Sequence, residues 1–522
     1  MNASDDQAAT NAAEKNDQVS TPVPAQSGQA AGPAAGPNPE RKKLSPLRSL
    51  VRAALRDVTP IRLWLLFGLA TLGFLCFCIA TVVTVKQHMH ALDTVGSDAA
   101  PSVISAHQIK IAVAAMDEAL TDQLMTAPGQ RAYGELVDDF EKSRQNVCRE
   151  LVVAAQNITY GHVEQEPIEN IQIALGAFEM QAQRARDLHE GGKDVDALGA
   201  YRQALATVGD KILTAADDLN KANSDVLEET YGREKSASAL SRGLVLVLGM
   251  VLIGLLLYIN IFISVRFKRR LNMPLIFTML FLAIFLRHLT STLGESSHGL
   301  VVAKEDAYNS VLALLDARAA AYLADATLSR CLLDGEDVGN QKKFFQANLD
   351  RIAVLPAGQS GQTVLAAALK QAENGQKVSV SGFGGALADE LGNIRFEGER
   401  MAALDCLTTF LNFRETSNQE LNFILAGKRD DAISIGLGYD PHGTHEAFNR
   451  FDDAMVRTLQ INQEALSRSV KNARHALDGL VGGSIAFCVL MVLSTYLGLR
   501  PRIQEYQIES YLHRRDLKKN QG

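Results

Sequence analysis

Residues 243–270 read GLVLVLGMVLIGLLLYINIFISVRFKRR, and this stretch decides the fold. Gly243–Val265 runs for 23 residues without a charge, and four of the next five side chains, Arg266, Lys268, Arg269 and Arg270, are basic. A helix rising about 1.5 Å per residue needs roughly 20 apolar residues to cross the hydrocarbon core. A second apolar run starts at once at Leu271, reaches Leu286 and continues through Leu289 and Leu293 past Arg287. Two membrane helices joined by a five-residue basic turn are therefore expected. Working outward, Leu63–Val85 is another uncharged run, and Gly479–Leu499 is a fourth. Arg287 lies some 24 Å along its span at 1.5 Å per residue, where its side chain can snorkel to the headgroups.

The charge divides by side. Of 522 residues 21% are charged, with a net charge of −7. The segments 1–62, 266–270 and 500–522 hold 18 basic residues against 9 acidic ones; the remainder holds 34 against 50. The positive-inside rule then places both termini and the short turn in the cytoplasm, in a multi-pass plasma-membrane protein. The long loops are acidic and extracytoplasmic, which argues against nucleic acid as a partner, since that needs a basic folded face. Basic segments beside the spans also suit contact with the anionic bilayer surface.

The expected organisation is all-α, with four transmembrane helices and two extracytoplasmic helical-bundle domains in a tandem repeat. A disordered basic cytoplasmic tail covers 1–60, because residues 1–40 lack the apolar surface to fold. Spans follow at 61–85, 243–265, 271–293 and 479–499, with bundles at 86–242 and 294–478. The basic turn is 266–270 and the cytoplasmic tail 500–522. Helical periodicity supports the bundles: Ile109, Val113, Met116, Leu120 and Leu124 share one face. The stripes Ile212, Ala216, Leu219, Asn223, Val226 and Met455, Leu459, Asn462, Leu466 each carry an asparagine shortly before a span. Asn223 and Asn462 are either seam residues that set register or partly exposed polar positions.

Little chemistry is legible. Ser381–Gly385 is glycine-rich but lacks a βαβ setting, and reads as a connecting loop. Asp440, His442, His445 and Glu446 offer ligand-type side chains in a spacing that matches no established metal pattern, so His442 and His445 are weak candidates only. No catalytic motif and no cofactor are expected. Cys331 and Cys406 sit on helical patterns of the second loop, as a disulfide or as two separate buried thiols.

Three stretches carry a resemblance: Leu387-Ala388-Asp389-Glu390-Leu391-Gly392-Asn393-Ile394-Arg395-Phe396-Glu397-Gly398-Glu399-Arg400, Phe451-Asp452-Asp453-Ala454-Met455, and Gly498-Leu499-Arg500-Pro501-Arg502-Ile503-Gln504-Glu505-Tyr506. With the four-span layout, they resemble the GlnX membrane proteins of high-GC Gram-positive bacteria. That resemblance implies a non-enzymatic adaptor between an amino-acid-binding lipoprotein outside (GlnH) and a soluble Ser/Thr protein kinase inside (PknG). On this reading Arg266, Lys268, Arg269, Arg270, Arg500, Arg502 and Tyr506 form the cytoplasmic partner surface, able to pair with carboxylates. Two other readings stay open: a receptor binding a small molecule directly within a bundle, and an envelope scaffold. A homodimer is compatible with all three.

Overall fold

The computed structural model describes residues 59–267, 272–335, 338–374, 376–436 and 442–519. The expected tail therefore lies, as far as residue 58, outside the described residues. Helix makes up 89% of the structure, and the described residues form no strand. In the first half α1 (Thr59–Asp93), α2 (Ala99–Met125), α3 (Arg131–Gln156), α4 (His162–Glu190), α5 (Asp194–Thr207) and α6 (Thr214–Phe267) follow in order. The second half comprises α7 (Met273–Val301), α8 (Asn309–Leu333), α9 (Val338–Ile352), α10 (Gly361–Glu373), α11 (Ala386–Gly392), α12 (Glu399–Leu425), α13 (Arg429–Gly436), α14 (Thr444–Leu477) and α15 (Leu480–Lys519).

Among the described residues, four helical runs are long and apolar enough to cross a membrane: Ile61–Met125, Asp194–Arg266, Met273–Leu333 and Thr444–Glu505. Each exceeds 60 residues, about 90 Å at 1.5 Å per residue, three times the hydrocarbon thickness. The spans are apolar all round, as a membrane helix must be. Leu72, Leu75, Val251, Phe281 and Leu490 are exposed, while Phe74, Phe77, Leu252, Leu282 and Met491 pack inward. Phe285 stacks on Phe487 with centroids 4.1 Å apart, and Thr278 Oγ1 donates to Ser494 Oγ at 2.8 Å. Such contacts replace the hydrophobic drive that lipid cannot supply.

Three runs contain a π turn: Thr94–Asp98 joins α1 to α2, Val208–Leu213 joins α5 to α6, and Val302–Tyr308 joins α7 to α8. The fourth breaks at Gly479, whose φ of +74° suits a residue without a β-carbon. The first and third π turns occupy equivalent places in the two halves. Helix α14 packs between them: Gly96 abuts Val470 and Gly299 abuts Ala473 so closely that a β-carbon at either glycine would clash.

The two long loops are not separate bundles standing apart. Ile111 of α2 belongs to the core of the second half. Arg330 of α8 donates from Nε to Asp117 Oδ2 at 2.8 Å, and Arg202 grips Asp334 through two 2.7 Å bonds. Helix α2 is thus a wall shared by both halves.

The expected Cys331–Cys406 bridge is not formed; both are free, buried thiols. Cys331 lies near Glu420 of α12, 14 positions along that helix from Cys406. That separation is about 21 Å of helical rise, whereas a disulfide requires Cα atoms within roughly 7 Å. Cys406 Sγ instead sits 3.1 Å from Thr458 Oγ1, and burial pushes the Cys331 thiol up to about 11.

The glycine-rich loop is anchored. Gly384 and Val354 exchange backbone hydrogen bonds of 2.8 and 3.1 Å. Gly385 has φ +89°, and a β-carbon there would lie 2.9 Å from Ala353 Cα and Ile352 O. Both neighbours are main chain and cannot swing away. Gly385→Val is expected to cost about 2–3 kcal/mol, read as a lower unfolding midpoint of the detergent-solubilised protein; an unchanged midpoint would show that this backbone adapts.

Candidate functional site

Where the helices leave the spans, three of them meet on one imidazole. His88, on α1, is 1% exposed. Its Nδ1 lies 3.0 Å from Thr84 O and 2.9 Å from Glu234 Oε1 of α6, and its Nε2 3.1 Å from Ser297 Oγ of α7. Both neighbours of Nδ1 are acceptors, so Nδ1 carries a proton, and Nε2 shares a hydrogen bond with the Ser297 hydroxyl.

One level further from the spans, the π turn Val302–Tyr308 presents two successive charges to α6. Glu305 accepts from Lys235 Nζ at 2.5 Å and from Tyr231 Oη at 2.7 Å. Those bonds, that of Lys235 first, hold its carboxyl below the usual range. Lys304, almost fully buried, pairs with Glu228 at 2.6 Å and bonds Asn309 Oδ1 at 2.7 Å. Its ammonium also lies 4.9 Å from the Tyr308 ring centroid, a cation–π distance.

A π turn disturbs the i→i−4 ladder, and its carbonyls need other donors. Asn393, just after α11, supplies them: Nδ2 reaches Asp306 O at 2.8 Å, Glu305 O at 3.2 Å and Ser310 Oγ at 3.0 Å. Arg395 adds a 3.3 Å ion pair with Asp306. From the same segment Glu390 accepts from Asn462 Nδ2 of α14 at 3.1 Å. Glu399 Oε2 accepts from the backbone N–H of Arg395 at 2.6 Å and of Phe396 at 2.8 Å, which closes the turn before α12. Burial first, and then the charge of Glu399, push the Glu390 carboxyl up to about 7. The segment Leu387–Arg400 therefore clamps the α7–α8 π turn to α14, the helix that leads into the fourth span. A cleft of about 500 Å³ opens beside it, lined by Glu305, Asn309, Ser310, Asp389 and Asn393.

The residues singled out from sequence are placed as follows. Asn462 and Asn223 are both fully buried; Asn462 joins the clamp, whereas Asn223 Nδ2 bonds Leu219 O of its own helix at 3.0 Å. His445 lies near Asp325, and His442 precedes α14; Asp440 is outside the described residues, which contain no group of three or more ligands able to hold a metal. Arg266 and Arg500 are exposed, and α15 continues through Pro501, with Arg502 pairing with Glu505 at 2.6 Å. Asn272 accepts the task of joining the two basic segments: its N–H donates to Asn260 Oδ1 at 3.2 Å and its Nδ2 to Gly498 O at 2.7 Å. This brings the end of α6 and the start of the last basic segment to one end of the span bundle. Lys268, Arg269, Arg270 and the side chain of Tyr506 lie outside the described residues.

No pattern in the sequence marks the clamp as a site; its residues carry only the family resemblance. The available signal is Glu390 and Asn393, two polar residues three apart, within and just after a glycine-bounded helix too short to be amphipathic alone.

Residues 91–232 match the family model described as an actinobacterial sensor domain. The match runs from the end of α1 to Gly232 of α6, so it includes Asp117, the wall α2 and Tyr231 of the Glu305 contact. No curated protein matches the chain, and no solved structure does. The fold and the match together define a multi-pass membrane protein carrying a sensor-type domain, in a signalling or sensing role.

Proposed function

We propose that the chain is a non-enzymatic transmembrane signalling adaptor. Its acidic bundles face outside, where an amino-acid-binding lipoprotein docks, and its basic inner face engages a cytoplasmic Ser/Thr kinase in the plasma membrane. The observation that carries the reading is helix α6. It begins in the sensor-matching region, contributes Glu228, Tyr231 and Lys235 to the contacts of the π turn and Glu234 to that of His88, and runs unbroken through its span to Arg266. A displacement of α6 outside would reach the basic surface without crossing a hinge, whereas one of α14 would pass the break at Gly479. Any ligand or partner must favour one packing of the clamp over another to do so.

The test is the variant with Arg269, Arg270 and Arg502 all replaced by Gln, which leaves Arg266, Lys268 and Arg500 to hold the topology. Single cysteines at Ser236 and Glu295, and not at Lys268 or Asn520, should react with an impermeant thiol reagent on intact cells. Recovered from native membranes, the variant should keep its outer partner and lose the kinase. Unchanged kinase recovery would assign these arginines to lipid contact alone, and labelling at Lys268 would overturn the orientation.

A second reading, direct ligand binding, has one observation in its favour. A groove of about 640 Å³ between α3 and α4 holds Arg186 over the Phe140 ring at 4.6 Å, with its Nε buried and without a hydrogen-bond partner. A small molecule retained by the purified protein and lost in Arg186→Gln would support it.

A further inference from the structure

At the far end of the bundle from the spans, α2, α8, α12 and α14 converge on carboxylates that the clamp does not use. Glu118 and Asp122 come from α2, Asp325 from α8 and Glu420 from α12. Asp122, Asp325 and Glu420 are all more than nine-tenths buried. Asp325 lies against Glu118, Asp122 and Glu420, at the boundary between the two halves. The cations nearby do not balance them. Arg330 is committed to Asp117, which also accepts from Tyr201 Oη at 3.1 Å. His445 of α14 faces Asp325, and Tyr322 of α8 faces Glu118. The other polar neighbours are uncharged: the Ser329 hydroxyl lies beside Asp122, and the Thr444 hydroxyl and the Cys331 thiol lie beside Glu420. Asp122 Oδ1 has no hydrogen-bond partner among the described residues. Gly436 of α13 closes over Glu420, for a β-carbon there would lie 2.5 Å from Oε1.

Four carboxylates sharing one dry site cannot all ionise, because each charge loses its hydration and repels the others. We propose that Glu118, Asp122, Asp325 and Glu420 form a proton-binding latch that holds α2 of the first half against α8 and α12 of the second and releases as pH rises. Burial is the largest cause of the upward shift at each of them, taking Asp122 to about 8 and Asp325 to about 6, with Glu118 and Glu420 well above the usual range. The packed state thus binds more protons than the separated one. Its advantage is complete below the ordinary carboxylate range near pH 4 and is lost as pH climbs through 6 to 8. Proton binding requires only α2 packed on α8 and α12, so it stands or falls independently of the adaptor reading.

Amide hydrogen exchange on the full-length protein in detergent, between pH 6 and 9 and corrected for the intrinsic base-catalysed rate, tests the latch. Protection of the Asp117–Met125 segment should fall about tenfold per pH unit for each proton released on opening. In the variant Asp122→Asn with Glu420→Gln the slope should flatten, and protection at pH 9 should exceed that of the wild type. Glu390→Gln, at a buried carboxyl of the clamp, should leave the slope at α2 unchanged. A flat wild-type profile, an unaltered slope in the double variant, or a slope abolished by Glu390→Gln would each overturn the latch. The wild-type profile decides even where the double variant does not fold, and Asp325→Asn then serves as the single-site substitute.

Discussion

Asp117→Ala is expected to destabilise the protein by about 3–5 kcal/mol, the usual cost of stripping one partner from a buried ion pair. Asp117 is fully buried, and the Arg330 guanidinium that it holds is 8% exposed. Without the carboxylate, Arg330 keeps only the hydroxyl of Tyr201 nearby, in a site too dry to hydrate a charge. The loss should appear as a lower thermal midpoint of the detergent-solubilised full-length protein. It should also appear as earlier proteolysis at the junction of α2 and α8. Replacing both partners, Asp117→Leu with Arg330→Met, should recover much of the loss, since two apolar groups demand no hydration. A single-variant cost below about 1 kcal/mol would mean that water screens the pair as it does a surface bridge.

Phe451→Ala should cost a similar amount, about 3–5 kcal/mol, for a different reason. The Phe451 ring lies 5.4 Å from Phe410 and 6.1 Å from Phe413, and Phe448 continues the cluster to Phe413 at 5.5 Å and Tyr322 at 4.8 Å. Faces of three helices, α8, α12 and α14, fix these rings, so the cavity cannot collapse cheaply. The adjacent Asp452 takes two bonds from Arg318, of 2.5 and 2.9 Å, and one from Tyr322 Oη at 3.1 Å, which holds α14 to α8 while the rings hold it to α12. Met401→Ala, at a position 73% exposed, is the control and should stay within about 0.5 kcal/mol. Equal effects at Phe451 and Met401 in thermal unfolding would refute the packing account.

The stripes read from the sequence lie where a period of 3.6 places them. Ile109, Val113, Met116, Leu120 and Leu124 are all buried, as are Met455, Leu459, Asn462 and Leu466. Near Val226 the reading slips by one position, for Leu227 is the fully buried residue there. The three π turns could not be read at all, because each adds one residue to a turn whose composition stays helical. The clamp was hidden for a related reason. Asn393 acquires its role only when a π turn far along the chain frees two carbonyls for it. The buried carboxylates were equally illegible: Glu118, Asp122, Asp325 and Glu420 are ordinary polar positions until four helices converge on them.

Legible in the residues alone is an all-helical chain with four runs long and apolar enough to cross a membrane and long segments between paired spans. Those properties are local: an uninterrupted apolar run of 20 residues has no stable place in water, and a repeating stripe specifies a helix wherever it lies. The packing of the helices, in contrast, makes α2 a wall shared by both halves and leaves Cys331 and Cys406 as two separate buried thiols. It also decided that the motif at Leu387–Arg400 ties a π turn to the last membrane-entering helix. These depend on which faces meet and at what level, and burial and unmet hydrogen bonds settle that only once the helices are packed.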